Sequence, residues 1–286
     1  MKKFLSLIFI VLMLFTACDS TQTNSVFDTS SETQSNDTVI FKNSYEKILS
    51  VIKKTNKIKY PTYYETSYKG VDYAGIALDY GNSRVVVPYD SGKCFDVFVD
   101  WQFTGFAYRG DNDSIILVKT SEDMAVTWTE SEIDLEDEKA KYFYISFSDS
   151  GVGYLAVTLE NSEPCLYVTQ NKGVSWEKKD VGNVFEGTSI FGITVLDEDL
   201  YIYGRTVEKP YSPVLLISKN GQDIKKVDKN FKPDKYEEGR AYQDGIYSKD
   251  GIIVFKVVME YADETLEKNY YISEDNGETW NLFEEQ

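Results

Sequence analysis

The sequence has 286 residues, 42% of them hydrophobic, and a formal net charge of −17 without a single histidine. That balance holds ample apolar material for a folded body. It excludes a nucleic-acid partner, which needs clustered Lys and Arg to displace counterions. The missing imidazole excludes Ser–His and Cys–His nucleophiles and His metal ligands, so no catalytic residue, metal site or cofactor is assigned.

At the start of the chain, Lys2 and Lys3 precede the apolar run Phe4 to Phe15. At about 1.5 Å per helical residue the run is too short for a hydrocarbon core of roughly 30 Å. Residues 1–17 therefore read as a secretory signal. The run ends in Phe15-Thr16-Ala17-Cys18, which resembles the lipobox of bacterial lipoproteins, with Phe15 in place of the usual aliphatic residue. The resemblance implies cleavage before Cys18 and lipidation of its thiol. It also implies a place on the extracytoplasmic face of a bacterial cell membrane, with this anchor as the sole membrane contact. An ordinary cleaved signal with an incidental cysteine is the alternative.

Residues 18–40 are nearly all small and polar. They lack the apolar surface needed to offset ordering entropy and are expected to form a disordered tether. Within 41–57, Tyr45, Ile48, Leu49 and Ile52 recur at i, i+3, i+4 and i+7, and Asn43 with Glu46 forms a capping-box pattern. One short amphipathic helix is expected there. From residue 58 onward, short Val-, Ile-, Tyr- and Phe-rich runs alternate with Gly, Asn, Asp and Ser, the signature of an all-β body.

Within that body an octet recurs: SEDMAVTW from Ser121, TQNKGVSW from Thr169, a decayed SKNGQDIK from Ser218, and SEDNGETW from Ser273. The steps are 48, 49 and 55 residues, and a strand-like run precedes each copy. Gly105-Phe106 and Gly153-Tyr154 keep the same register further back. A four-strand unit of that size is the size of a propeller blade, and residues 58–286 hold about five of them, the first irregular.

Each octet suits a hairpin turn. Asp123, Asn171, Asn220 and Asp275, third in each, offer an acceptor to backbone N–H groups. Ser121, Thr169, Ser218 and Ser273, first in each, add a local hydroxyl. Gly173 and Gly277 allow φ > 0, and Trp128, Trp176 and Trp280 bring a large face to bury. In the decayed copy Gly221 is shifted by one and Lys225 stands where Trp is expected, so this turn should be the least regular.

These octets resemble the Asp-box, or BNR repeat, of sialidase-type β-propellers. In sialidases three arginines clamp a substrate carboxylate beside a Tyr–Glu pair and an acid. This chain has only Arg84, Arg109, Arg205 and Arg240, and Arg84-Val-Val-Val-Pro88 does not match the family's Arg-Ile-Pro motif. FSDSGVGYLAV, from Phe147, also resembles repeats of the YCF48-like assembly-factor propellers, which are non-enzymatic scaffolds. The expectation is a monomeric, non-catalytic propeller that binds a protein or glycan ligand. A carboxylate-dependent glycoside hydrolase is the alternative.

The acidic stretch Thr129 to Lys139 reads as a solvated inter-blade loop without EF-hand spacing. Pro61 to Tyr68 reads as an edge strand, and Tyr261 to Glu267 as an exposed hairpin. Cys94 and Cys165 fall on strands that are not neighbours, so both are expected to be buried free thiols. Any ligand is expected at the inner-strand loops, away from the octets.

Overall fold

A computed structural model describes residues 62–68, 71–80, 83–88 and 95–99, and residues 103–283 except 124–125, 210, 232–239 and 262–263. Cys18, the tether, the expected helix, Cys94 and Ala125 lie outside the described residues.

Among the described residues, five antiparallel sheets follow one another in sequence, each laid down strand by strand. The first holds β1 (Thr62–Tyr68), β2 (Val71–Tyr80) and β3 (Ser83–Pro88). The second holds β4 (Phe95–Val99), β5 (Thr104–Arg109), β6 (Ile115–Ser121) and β7 (Thr129–Asp134). The third holds β8 (Ala140–Phe147), β9 (Gly153–Leu159), β10 (Cys165–Thr169) and β11 (Glu177–Lys179). The fourth holds β12 (Thr188–Leu196), β13 (Asp199–Thr206), β14 (Pro213–Ser218) and β15 (Ile224–Lys226). The fifth holds β16 (Arg240–Lys249), β17 (Ile252–Glu260), β18 (Leu266–Ser273) and β19 (Asn281–Phe283). The first strands pack together in series, β4 on β8, β8 on β12 and β12 on β16. Sheets joined through their first strands in this way are the blades of a β-propeller. The β1–β3 sheet, where the irregular first blade is expected, has three strands among the described residues, and the other sheets have four.

The apolar clusters lie between blades. Leu155 and Val157 on β9 join Ala107, Ile116 and Val118 of the second blade. Tyr154 and Ala156, alternate residues of the same strand, join Ile202, Val214 and Leu216 of the fourth. The period of two therefore sends neighbouring side chains into two different interfaces. This is why middle strands such as PVLLIS of β14 are apolar and buried along their whole length. The last strands are short or polar, which blunts the outer edge.

The acidic stretch corrects the sequence reading: Thr129–Asp134 is β7 itself, paired along β6, and no loop. Ile133 is buried while Glu130, Glu132 and Asp134 face out or lie near the surface, so acids and hydroxyls sit on an outer strand that needs only one apolar contact. Cys165 is buried and free, as expected. Burial pushes its thiol up from the ordinary range, which makes it a poor nucleophile. The hairpin between β17 and β18 is closed by Tyr261 N–H donating to Thr265, and Leu266 beyond it is exposed.

The inner edge of each blade leaves backbone N–H groups without a strand partner, and these need acceptors. Asp96 on β4 supplies a carboxylate to Ile145 N–H on β8, at 2.7 Å. Ser146 on β8 supplies its hydroxyl to Val195 N–H on β12, at 3.0 Å. Both links span 49 residues. Asp96 keeps part of its surface open, but its carboxylate is ringed by protein atoms, and this desolvation raises its pKa to about 7. The N–H bonds from Ile145 and Val97 pull the other way and lose to desolvation.

Candidate functional site: the octet turns and the cleft between them

The octets all lie between the third and fourth strand of a blade. Ser121, Thr169, Ser218 and Ser273 are the buried last residues of β6, β10, β14 and β18. In three copies the bonding is the same. The first hydroxyl donates to the third side chain at 2.8 Å in each: Ser121 to Asp123, Thr169 to Asn171, Ser273 to Asp275. It accepts from the fifth N–H where that residue is Gly173 or Gly277. The third side chain accepts from the seventh N–H, of Thr127, Ser175 or Thr279.

A seventh hydroxyl also recurs in the octets, at Thr127, Ser175 and Thr279, outside the hairpin pattern drawn from the sequence. Thr127 and Thr279 donate to the second carboxylate oxygen. Where the third residue is Asn171, the direction reverses and its amide donates to Ser175. Lys172 and Gly173, and likewise Asn276 and Gly277, take φ between 58° and 88°. In the decayed copy that pair moves back one residue, to Asn220 and Gly221, which explains the shifted glycine. There Ser218 donates to Gln222 O, and Asn220 N–H turns to the Asp199 carboxylate at 3.0 Å. Asp199, the first residue of β13, thus replaces the missing local acceptor. The fourth-strand position of Trp is taken by Lys225, which faces solvent.

The three tryptophans lie one residue before β7, β11 and β19. Trp280 is buried, whereas Trp128 and Trp176 are only half-buried. Trp176 Nε1 donates to Ser131 on β7 of the preceding blade. The turns are also tied to each other across blades. Lys172 pairs with Glu122 of the preceding octet, and Lys219 donates to Asn276 O of the following one while pairing with Asp199 at 2.8 Å.

The bonds to the hydroxyls and N–H groups of the turn hold the Asp123 and Asp275 carboxyls down at about 2. A lowered carboxyl adds stability that is full above its unfolded pKa and lost as pH falls toward 2. Asp96 has the opposite sign: its contribution is full below its ordinary range near 4 and lost as pH rises through about 7. The melting temperature should therefore peak near pH 4, falling toward pH 2 and falling again between about pH 4 and 7. Scanning calorimetry from pH 2 to 9 checks this. Asp96→Asn should flatten the alkaline limb, and Asp123→Asn with Asp275→Asn the acid limb; unchanged limbs would overturn the assignments.

A cleft of about 290 Å³ opens between the octets of the second and third blades, lined by Thr120, Ser121, Glu122, Thr127, Thr129, Ser150, Gln170, Asn171, Lys172 and Val174. Octet residues supply most of the lining, and Ser150 comes from the turn between β8 and β9, an inner-strand loop of the kind where a ligand is expected. The turns that build the blades also wall the cleft. Ser121, Thr127 and Asn171 are committed to turn bonds. Thr120, Thr129 and Gln170 bring polar side-chain atoms with no protein partner among the described residues. Glu122, its one carboxylate, is paired with Lys172. No three His, Cys, Asp or Glu side chains gather as metal ligands among the described residues.

Of the arginines, Arg84 and Arg240 have side chains outside the described residues. Arg109 is used by the fold, donating to Ala140 O and Lys141 O and pairing with Asp113. Arg205 lies two blades away, half-buried between two aromatic rings.

No family model and no curated protein matches the sequence. Among solved structures, the SapL1 lectin in complex with α-methyl fucoside aligns with a TM-score of 0.51 at 10% identity, over 79% of this chain and 81% of that one. An α-L-arabinanase of Penicillium chrysogenum complexed with arabinobiose aligns with a TM-score of 0.46 at 12% identity, over 67% and 65%. The Trypanosoma rangeli sialidase aligns at 0.45 with 14% identity, over 78% of this chain and 40% of the sialidase. At these identities the likeness concerns the fold alone.

Proposed function

We propose that the protein is a non-catalytic glycan-binding propeller, held at the outer face of a bacterial membrane by a lipid on Cys18. The observation that carries the binding reading is the chemistry of the cleft between the second and third blades. Free hydroxyl and amide groups on Thr120, Thr129 and Gln170 match the alternating donors and acceptors of a sugar. The volume is near the lower end of ligand pockets, about 300 Å³. Glycoside hydrolysis needs two carboxyl groups flanking the scissile bond. The cleft holds only Glu122, already engaged by Lys172. The lectin that shares the fold was solved with a fucoside, which supports a sugar ligand on this scaffold. The anchor reading rests on Phe15 to Cys18 and on the polar segment that follows.

A glycan array followed by calorimetric titration tests the first part. Wild-type protein should bind a neutral glycan without releasing reducing sugar, and Gln170→Ala with Thr129→Ala should weaken it by about tenfold or more. Turnover of the bound glycan, or binding untouched by both substitutions, would overturn it. For the anchor, Cys18→Ala should move the protein from the membrane to the soluble fraction. Unchanged fractionation would refute lipidation.

A further inference from the structure

The face of the fourth blade opposite its octet turn carries a second, differently built arrangement. β13 runs from Asp199, at the octet end, to Thr206, so Arg205 sits at the far end. Its guanidinium lies 5.0 Å from the Phe191 ring centre and 4.7 Å from that of Tyr211. The backbone is shaped to hold it there. Pairing of β12 with β13 skips Phe191 through a bulge between Ile190 and Gly192. A Cβ at Gly192 would come within 2.3 Å of Tyr203, and one at Gly204 within 2.0 Å of the Ser189 carbonyl. Gly204 is thus needed for the close strand approach beside the bulge, and Gly192 leaves room for the end of the Tyr203 ring. The Tyr211 loop is pinned by Thr206 N–H donating to Ser212 O at 2.9 Å and Ser212 N–H donating to Thr206 Oγ1 at 3.0 Å.

Arg205 has no hydrogen-bond acceptor and no ion-pair partner among the described residues. Arg109, at the end of β5, is tied to the fold by one terminal nitrogen on the carbonyls of β8 and the other on Asp113. A stacked guanidinium keeps its N–H edge clear while its side-chain freedom is already lost, which lowers the cost of a bidentate contact. We propose that Arg205, with Phe191 and Tyr211 as walls, is an anion site that takes the carboxylate of an acidic sugar. The sugar class rests on the glycan-binding reading above; the anion site does not. With a net charge of −17 the protein repels a polyanion, so the fitting ligand carries a single carboxylate on an otherwise neutral chain.

Calorimetric titration with xylotriose bearing one glucuronic acid, against plain xylotriose, tests the site. Wild-type protein should prefer the charged probe by about tenfold or more, the range of a charge-assisted hydrogen bond. Arg205→Gln should abolish that preference, and Arg205→Lys should keep part of it. If Arg205→Gln fails to fold, phenylglyoxal labelling of the wild type gives an independent reading: the charged probe, and not the plain one, should slow modification of Arg205. An unchanged preference in folded Arg205→Gln, equal labelling with both probes, or no preference in the wild type would overturn the proposal. Neutral-glycan binding that depends on Gln170 would leave the cleft reading standing in each of those cases. Charged-probe binding lost in Arg205→Gln, with no neutral glycan bound, would instead support this site and overturn the cleft.

Discussion

Replacing Trp280 with alanine should cost about 3–5 kcal/mol, the range for emptying a buried aromatic site. The ring is 4% exposed, and its Nε1 donates to Gly277 O at 3.0 Å, closing the turn that carries it. Phe231 and Phe255 meet it edge-on at 6.1 Å and 6.4 Å. Phe231 is itself locked by Tyr271, whose hydroxyl donates to its carbonyl at 2.6 Å. Neighbours held this firmly cannot collapse into the space. Trp176→Ala should cost less, about 1–3 kcal/mol, because that ring is half-buried and solvent can refill its site. Urea denaturation at constant m-value measures both, and equal losses would refute the ranking.

Phe147→Ala should be as damaging, and for a different geometric reason. Phe147 ends β8, and its ring lies where Cβ atoms at Gly105 and Gly153 would fall, at 2.4 Å and 2.3 Å. Phe98, Phe103 and Trp176 surround it with ring centres 4.6 to 5.9 Å away. Two blades meet on this one side chain, so truncation should cost about 3–5 kcal/mol. Gly153→Ala should cost about 1–3 kcal/mol by forcing the ring aside. Combining Gly153→Ala with Phe147→Leu should cost less than the sum of the two, because the smaller side chain makes room. Strict additivity in denaturant melts would show that the ring and the glycine do not compete.

The turn was legible in the sequence because its physics is local. Hydroxyl, acceptor and glycine act within eight residues, and repetition at blade spacing tells a structural turn from a chance match. The same locality explains what was missed. Asp199 serves a turn some twenty residues downstream, and nothing near Asn220 announces it. Trp176 and Trp280 occupy equal places in the octet. Their unequal burial comes from Phe231, in a segment after β15 that the repeat does not specify. Likewise Phe191 meets Arg205 only because a bulge breaks the strand alternation that sequence reading assumes. The acidic stretch misled for the reverse reason: an outer strand needs so little apolar surface that it resembles a loop. The cleft is a property of two neighbouring turns, so no single octet shows it.

The contacts of Asp96 with Ile145 and of Ser146 with Val195 run one way along the chain. In each of these two links a blade lends an acceptor to its successor, and within the link the successor returns none. A nick between the second and third blades is therefore asymmetric. The released third blade would expose β8 with an orphaned amide at Ile145, an open template for pairing with another chain. The second blade would keep Asp96, which, freed into water, regains its ordinary acidity and charges the broken end. Proteolytic fragments beginning at the third blade should be the ones that aggregate, and those ending at the second should stay dispersed.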